Sequence, residues 1–208
     1  EIREAINCLK TNKAPGIDGI PAEFLKACRD TLCDPITHAF NYMIERREFP
    51  GIWSEGIKST IYKGGQHNIV DSYRGIHILP IMEKVFEVAV YKRLSFVNEA
   101  FCKKDNYNGG FMKGCRTADN LFIIKGLIQR QLLMGKSLVL CFIDFSKAFD
   151  LVNRDILFFK IMKSGWYGRV IDTLRNLYNK TSFRVKHKGW ISFLINDVMG
   201  VNQGGIAS

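Results

Sequence analysis

The longest unbroken apolar run in the chain, Leu138-Val139-Leu140-Cys141-Phe142-Ile143, is only six residues long and stops on a carboxylate, Asp144. A membrane helix needs about 20 apolar residues, so this run is too short to span a bilayer. A short continuous apolar run reads instead as a strand covered on both faces. The sequence therefore predicts a buried strand over Ser137–Asp144, with Cys141 as a small core residue and Asp144 delivered at a sheet edge.

Periodicity places the remaining elements around that strand. Ile2, Ile6 and Leu9 form a helical stripe that ends at Asn12-Lys13-Ala14-Pro15-Gly16-Ile17-Asp18-Gly19. Helices are expected over Pro21–Cys28, Asp34–Arg47, Ile81–Leu94, Thr117–Leu133, Ile156–Met162 and Val170–Tyr178. Ile57–Tyr62 reads as a strand turned by Lys63-Gly64-Gly65, followed by a polar loop to Arg74. Ser182–Lys186 and Trp190–Ile195 read as a hairpin around Lys188-Gly189. Helices first and strands mixed with helices afterwards predict an α+β architecture.

The 208 residues carry a formal net charge of +10. Residues 1–50 hold 7 basic and 8 acidic side chains, whereas 51–135 hold 12 and 7, and 136–208 hold 11 and 5. A cationic surplus confined to the later three quarters suits a polyanionic partner, and a solvated basic surface is the competing explanation. The six cysteines include no Cys-x-x-Cys pair, which argues against a zinc finger or disulfide framework and for a reducing compartment.

A carboxylate at a strand end can hold a hard cation such as magnesium, and nucleotidyl transfer uses two such ions. Alone that pattern is weak, since Asp150 reads equally well as a cap or turn residue. The ordered set is more specific: Asn12 to Pro21, then Ile61-Tyr62-Lys63-Gly64-Gly65 with Tyr73-Arg74-Gly75-Ile76, then Gly110-Phe111-Met112-Lys113-Gly114, then Phe142 to Asp150, and finally Gly200-Val201-Asn202-Gln203-Gly204. In order and spacing, across essentially the whole chain, this resembles the reverse transcriptase domain of non-LTR (LINE-like) retrotransposons.

The resemblance implies right-hand polymerase fingers with an N-terminal extension over residues 1–135. It implies a partial palm over 136–208, built on an antiparallel sheet with packed helices. By the same resemblance Asp144 would be the first catalytic, metal-binding aspartate, and the backbone carbonyl of Phe145 a second ligand and part of the deoxynucleotide site. Phe149 matches the aromatic gate that leaves a ribose 2′-hydroxyl without a partner. Lys63 and Arg74 match cations on the incoming triphosphate, and Gln203 and Gly204 match the loop beside the nucleotide sugar. The Ala14–Gly19 segment matches an extension that touches template RNA, while a turn fixing the start of the next helix is an equal reading. The implied cofactor is Mg2+, with Mn2+ as substitute. The implied partners are an RNA template, a DNA primer and deoxynucleoside triphosphates, at no membrane, in the nucleus.

Asn202 departs from the arginine usual in the family, Gly205-Ile206-Ala207 from Cys-Pro-Leu, Gly64-Gly65-Gln66 from a Lys-Gly-Asp turn, and Asn108-Gly109 from Gln-Ala. These departures suggest a diverged or decaying copy. The sequence has no adjacent acidic pair, although the family's second catalytic strand carries one. Both ends are expected to be cuts, and the chain alone is expected not to polymerise. The competing readings are another right-hand polymerase (a group II intron maturase or an RNA-dependent RNA polymerase), a non-catalytic RNA-binding remnant, and a structural helical domain.

Overall fold

The computed structural model describes residues 1–101, 109–110 and 114–202. They fall into two compact units, Glu1–Ala100 with Lys147–Ser208, and Phe101–Ser146.

The first unit opens with α1 (Ile2–Cys8), α2 (Ala22–Ala27) and α3 (Arg29–Arg46). Pro21 caps α2 from outside the helix, where its fixed φ and missing N–H do no harm. Pro35 lies inside α3, which starts at Arg29 rather than at the expected Asp34. Arg47, in a left-handed conformation (φ 57°), ends that helix. The strand β1 (Glu55–Tyr62) then pairs antiparallel with β2 (Tyr73–Ile78), so the segment expected to be loop up to Arg74 already enters a strand at Tyr73. The helix α4 (Ile81–Phe101) follows.

The Ala14–Gly19 segment seats the start of α4. The Asp18 carboxylate accepts hydrogen bonds from Ile81 N at 2.8 Å and Ile20 N at 3.3 Å. A Cβ on Gly16 would lie 2.6 Å from the Leu79 carbonyl oxygen, so only glycine permits this approach. The bond from Asp18 reaches the start of α4, 63 residues along the chain, rather than the next helix, α2.

After Lys147 come α6 (Arg154–Lys163), α7 (Arg169–Asn179), β3 (Ser182–His187), β4 (Trp190–Ile191) and β5 (Ile195–Asn196). The sheet order is β2-β1-β3-β4, with β5 also on β3. It is mixed, because β1 and β3 run parallel while the other pairs are antiparallel. Ile6, Phe40, Trp53, Val85, Phe86, Leu174 and Leu177 belong to one buried apolar cluster. At its centre the Phe86 ring lies 5.3 Å from Phe40 and 5.5 Å from Phe49, both edge to face, the arrangement aromatic quadrupoles favour.

The second unit contains α5 (Thr117–Leu133). Asp119 accepts from Arg116 N at 2.8 Å at its start. Gly135 (φ +65°) closes its end, donating to Leu132 O at 3.0 Å while Lys136 N donates to Gln131 O at 2.9 Å.

Three expectations are corrected here. The buried strand over Ser137–Asp144 is not formed: the segment has no regular secondary structure and no strand pairing, and Val139 and Ile143 are 90% and 84% exposed. Cys141 is exposed as well, not a core residue. A strand takes its hydrogen bonds from a neighbour, and no described strand pairs with this segment. The sheet that does form lacks residues 138–144 and, through the parallel β1–β3 pair, is mixed in place of the antiparallel sheet expected to include them. The coarse expectation of mixed helix and sheet holds: the described residues give seven helices and a mixed sheet.

Candidate functional site

The centre of the site is the turn Lys147–Leu151, closed by Leu151 N donating to Lys147 O at 3.1 Å. Its two charged side chains are both tied down. Lys147 Nζ lies 3.0 Å from Asp71, and Lys58 Nζ 3.5 Å from Asp150. The hydrogen bond from Lys147 holds the Asp71 carboxyl below the usual carboxylate range, and Lys63 adds to the pull. Phe149 is half-buried between these anchors.

A second loop docks on the same turn. Val201 N donates to the Phe149 carbonyl at 2.9 Å, and Gly200 N to the Val152 carbonyl at 2.8 Å. Gly200 has φ +88°, and a Cβ there would meet Asp150 O at 2.7 Å and Phe149 O at 2.9 Å. Glycine is required on both counts.

Arg154, the first residue of α6, fixes that loop from behind. Its side chain is 93% buried, and its guanidinium donates to the carbonyls of Gly200 (2.8 Å), Asp197 (2.6 Å), Met199 (3.3 Å) and Tyr178. It also lies 3.2 Å from the Asp197 carboxylate. Guanidinium offers five donors in a fixed fork, which suits a cluster of carbonyls better than lysine would. Burial nevertheless pushes the Asp197 carboxyl up, against the opposing pull of Arg154 and Lys58. The pair contributes loop geometry more than net stability. Beside it, a cleft of about 510 Å³ is lined by polar side chains that include Asn153, Asp155, Lys180 and Asn196.

Strand alternation sorts the sheet residues by face. Lys58, Thr60 and Tyr62 share a face with their partners His77, Gly75 and Tyr73. The Lys58 stem lies where a Cβ of Gly75 would be, 2.7 Å from the Lys58 Cγ, and its ammonium sits 4.2 Å over the Phe183 ring. That path delivers Lys58 to Asp150. His77 is buried on this face, with neither ring nitrogen hydrogen-bonded among the described residues. Burial first, and then the Lys58 charge, lower its pKa to about 4.

Among the residues singled out in the sequence, Phe149 meets the loop leading to Gln203, and Lys63 is close enough to Asp71 to add to the pull on its carboxyl. Lys63 follows β1 directly, its N–H donating to Ser72 O at 2.9 Å. Arg74 is exposed and pairs with Ile61, on the sheet face opposite Lys58. Asp144 and Phe145 belong to the second unit and are exposed. Gln203 and Gly204 lie outside the described residues. Among the described residues no group of three or more His, Cys, Asp or Glu side chains could hold a metal ion. One carboxylate at Asp144 does not make an octahedral site. No described helix is long and apolar enough to cross a membrane. Lys58, His77, Arg154 and Asp197 escaped the sequence reading because only contacts distant in the chain reveal them.

No family model matches the chain. It is 32% identical over 213 residues to the probable RNA-directed DNA polymerase from transposon X-element of Drosophila melanogaster, covering 99% of this chain and 23% of that protein. The chain is related to the polymerases of non-LTR transposons. It is also 24% identical over 212 residues to the RNA-directed DNA polymerase from mobile element jockey of Drosophila melanogaster, covering 99% of this chain and 22% of that protein. With the transposon TX1 149 kDa protein of Xenopus laevis the identity is 25% over 205 residues, 98% of this chain and 15% of the other. This chain therefore spans less than a quarter of the length of these transposon proteins.

Proposed function

We propose that this chain forms the nucleotide-selecting part of an RNA-directed DNA polymerase with the right-hand arrangement of fingers and palm. The observation that carries this reading is the bond from Val201 N to the Phe149 carbonyl at 2.9 Å, with Gly200 packed on the same turn. These backbone bonds tie the turn that carries Phe149 to the loop leading to Gln203. Phe149 would lie under the sugar of a deoxynucleoside triphosphate, where its ring offers a 2′-hydroxyl no hydrogen-bond partner. Lys63 and Arg74 would meet the triphosphate, Arg74 only if the nucleotide reaches the sheet face it occupies. The glycines beside Gln203 would let backbone approach the sugar.

Asp144, with the Phe145 carbonyl, would contribute to a site for Mg2+ or Mn2+ that further carboxylates complete, and such ions supply charge for nucleotidyl transfer. RNA template, DNA primer and deoxynucleotides are the substrates of this reading, with the nucleus as workplace. The deciding experiment is nucleotide selection by the polymerase carrying this chain. Phe149→Val should raise ribonucleotide use relative to deoxynucleotide use by about tenfold or more. Unchanged selectivity would remove Phe149 from the nucleotide site.

A further inference from the structure

The sheet face that carries Lys58 ends, at the hairpin side, in a row of five rings. Trp190 on β4 is 83% exposed and pairs in register with His187 on β3. His187 Nδ1 is 2.7 Å from Thr60 Oγ1 on β1, and its ring lies 5.3 Å from that of Tyr73 on β2. Tyr73 is 5.5 Å from Tyr62, which stacks on His67 at 4.3 Å and an interplanar angle of 19°. Registered partners share a face, so the row crosses four strands on one side of the sheet. The Tyr73 hydroxyl donates to His67 O at 3.0 Å and the Tyr62 hydroxyl to Gly65 O, which holds both rings in place. Lys63 follows Tyr62 directly, and Lys188 sits in the β3–β4 turn. Along β1, Thr60 stands two residues from Lys58, roughly 7 Å of strand, and Lys58 is the cation that grips Asp150 next to Phe149.

We infer that this row is a stacking platform for a single-stranded stretch of nucleic acid, which on the polymerase reading is the template ahead of the nucleotide site. Flat rings held rigidly, with cations at the margin of a chain of net charge +10, match the alternation of base faces and phosphates in a single strand. A core-packing role does not explain Trp190, whose ring is open to solvent.

The test uses the 208-residue chain and a labelled single-stranded oligouridylate of about 10 nucleotides. Trp53 is buried and Trp166 half-buried, so quenching of the exposed indole by the oligonucleotide reports on Trp190. Trp190→Ala should weaken binding about tenfold while leaving its salt dependence intact, and Trp190→Phe should retain most of the affinity. Oligothymidylate should bind comparably, since stacking does not read the 2′-hydroxyl, and a blunt duplex should not respond to Trp190→Ala. No binding by the unaltered chain, unchanged affinity in Trp190→Ala, or equal losses for duplex and single strand would overturn the inference. Unchanged affinity would leave the row to a protein partner. Binding is read without nucleotide incorporation, so failure of the Phe149 experiment and failure of this one are separable.

Discussion

The two units answer the same kind of sequence signal differently. In the first, apolar periodicity ends in a core: Ile6, Val85 and Phe86 are buried, and α7 turns Ile171, Leu174 and Leu177 inward. In the second, α5 has no buried residue, and Phe122 and Leu133 are 77% and 89% exposed. Yet α5 is a helix while the equally apolar Leu138–Ile143 is not a strand. A helix satisfies its backbone within itself, so periodicity and end signals suffice to form it. A strand must be completed from outside. Local order thus survives without a core in one case and fails without a neighbour in the other.

Four experiments stress this contrast, from the largest effect to the smallest. Arg154→Ala in the first unit should cost about 3–5 kcal/mol in denaturant unfolding, because it strands the Asp197 carboxylate and several buried carbonyls. A loss within experimental error would mean that water replaces the guanidinium without cost. His77 comes next. Its folded-state pKa is depressed from 6.5 to about 4, so its contribution is present above pH 6.5 and is lost as pH falls through 4. Linkage puts that loss at about 3 kcal/mol. Stability measured from pH 7 to pH 3.5 should fall accordingly and flatten in His77→Leu; parallel profiles would show that the imidazole is solvated. Gly200→Ala should then cost about 1–3 kcal/mol from its left-handed backbone alone, and a neutral result would mean that the loop lifts freely off the Phe149 turn. Last, Phe142→Ser in the second unit should change stability by less than about 0.5 kcal/mol. A loss several times larger would break the comparison by showing this ring packed.

Legibility in the sequence follows the same division. The helices α1, α5, α6 and α7 could be read to within two residues because a 3.6-residue stripe is a local property. The strand β2 was missed because His77 and Gly75 interrupt its apolar alternation, and both are explained only by Lys58 lying across them. The helix expected from Asp34 starts at Arg29 and runs through Pro35. At the candidate site, Phe149 and the glycine loop were visible as motifs. Arg154 was not, since its partners lie 24 to 46 residues away along the chain. A charged residue beside a helix cap announces nothing about four carbonyls folded over it.

On the proposed reading, nucleotidyl transfer depends on the Asp144 carboxylate. Template-directed deoxynucleotide incorporation by the polymerase carrying this chain, compared with its Asp144→Asn variant, tests it most directly. The variant should lose about a hundredfold or more in incorporation with folding intact. Incorporation at the unaltered rate would contradict it.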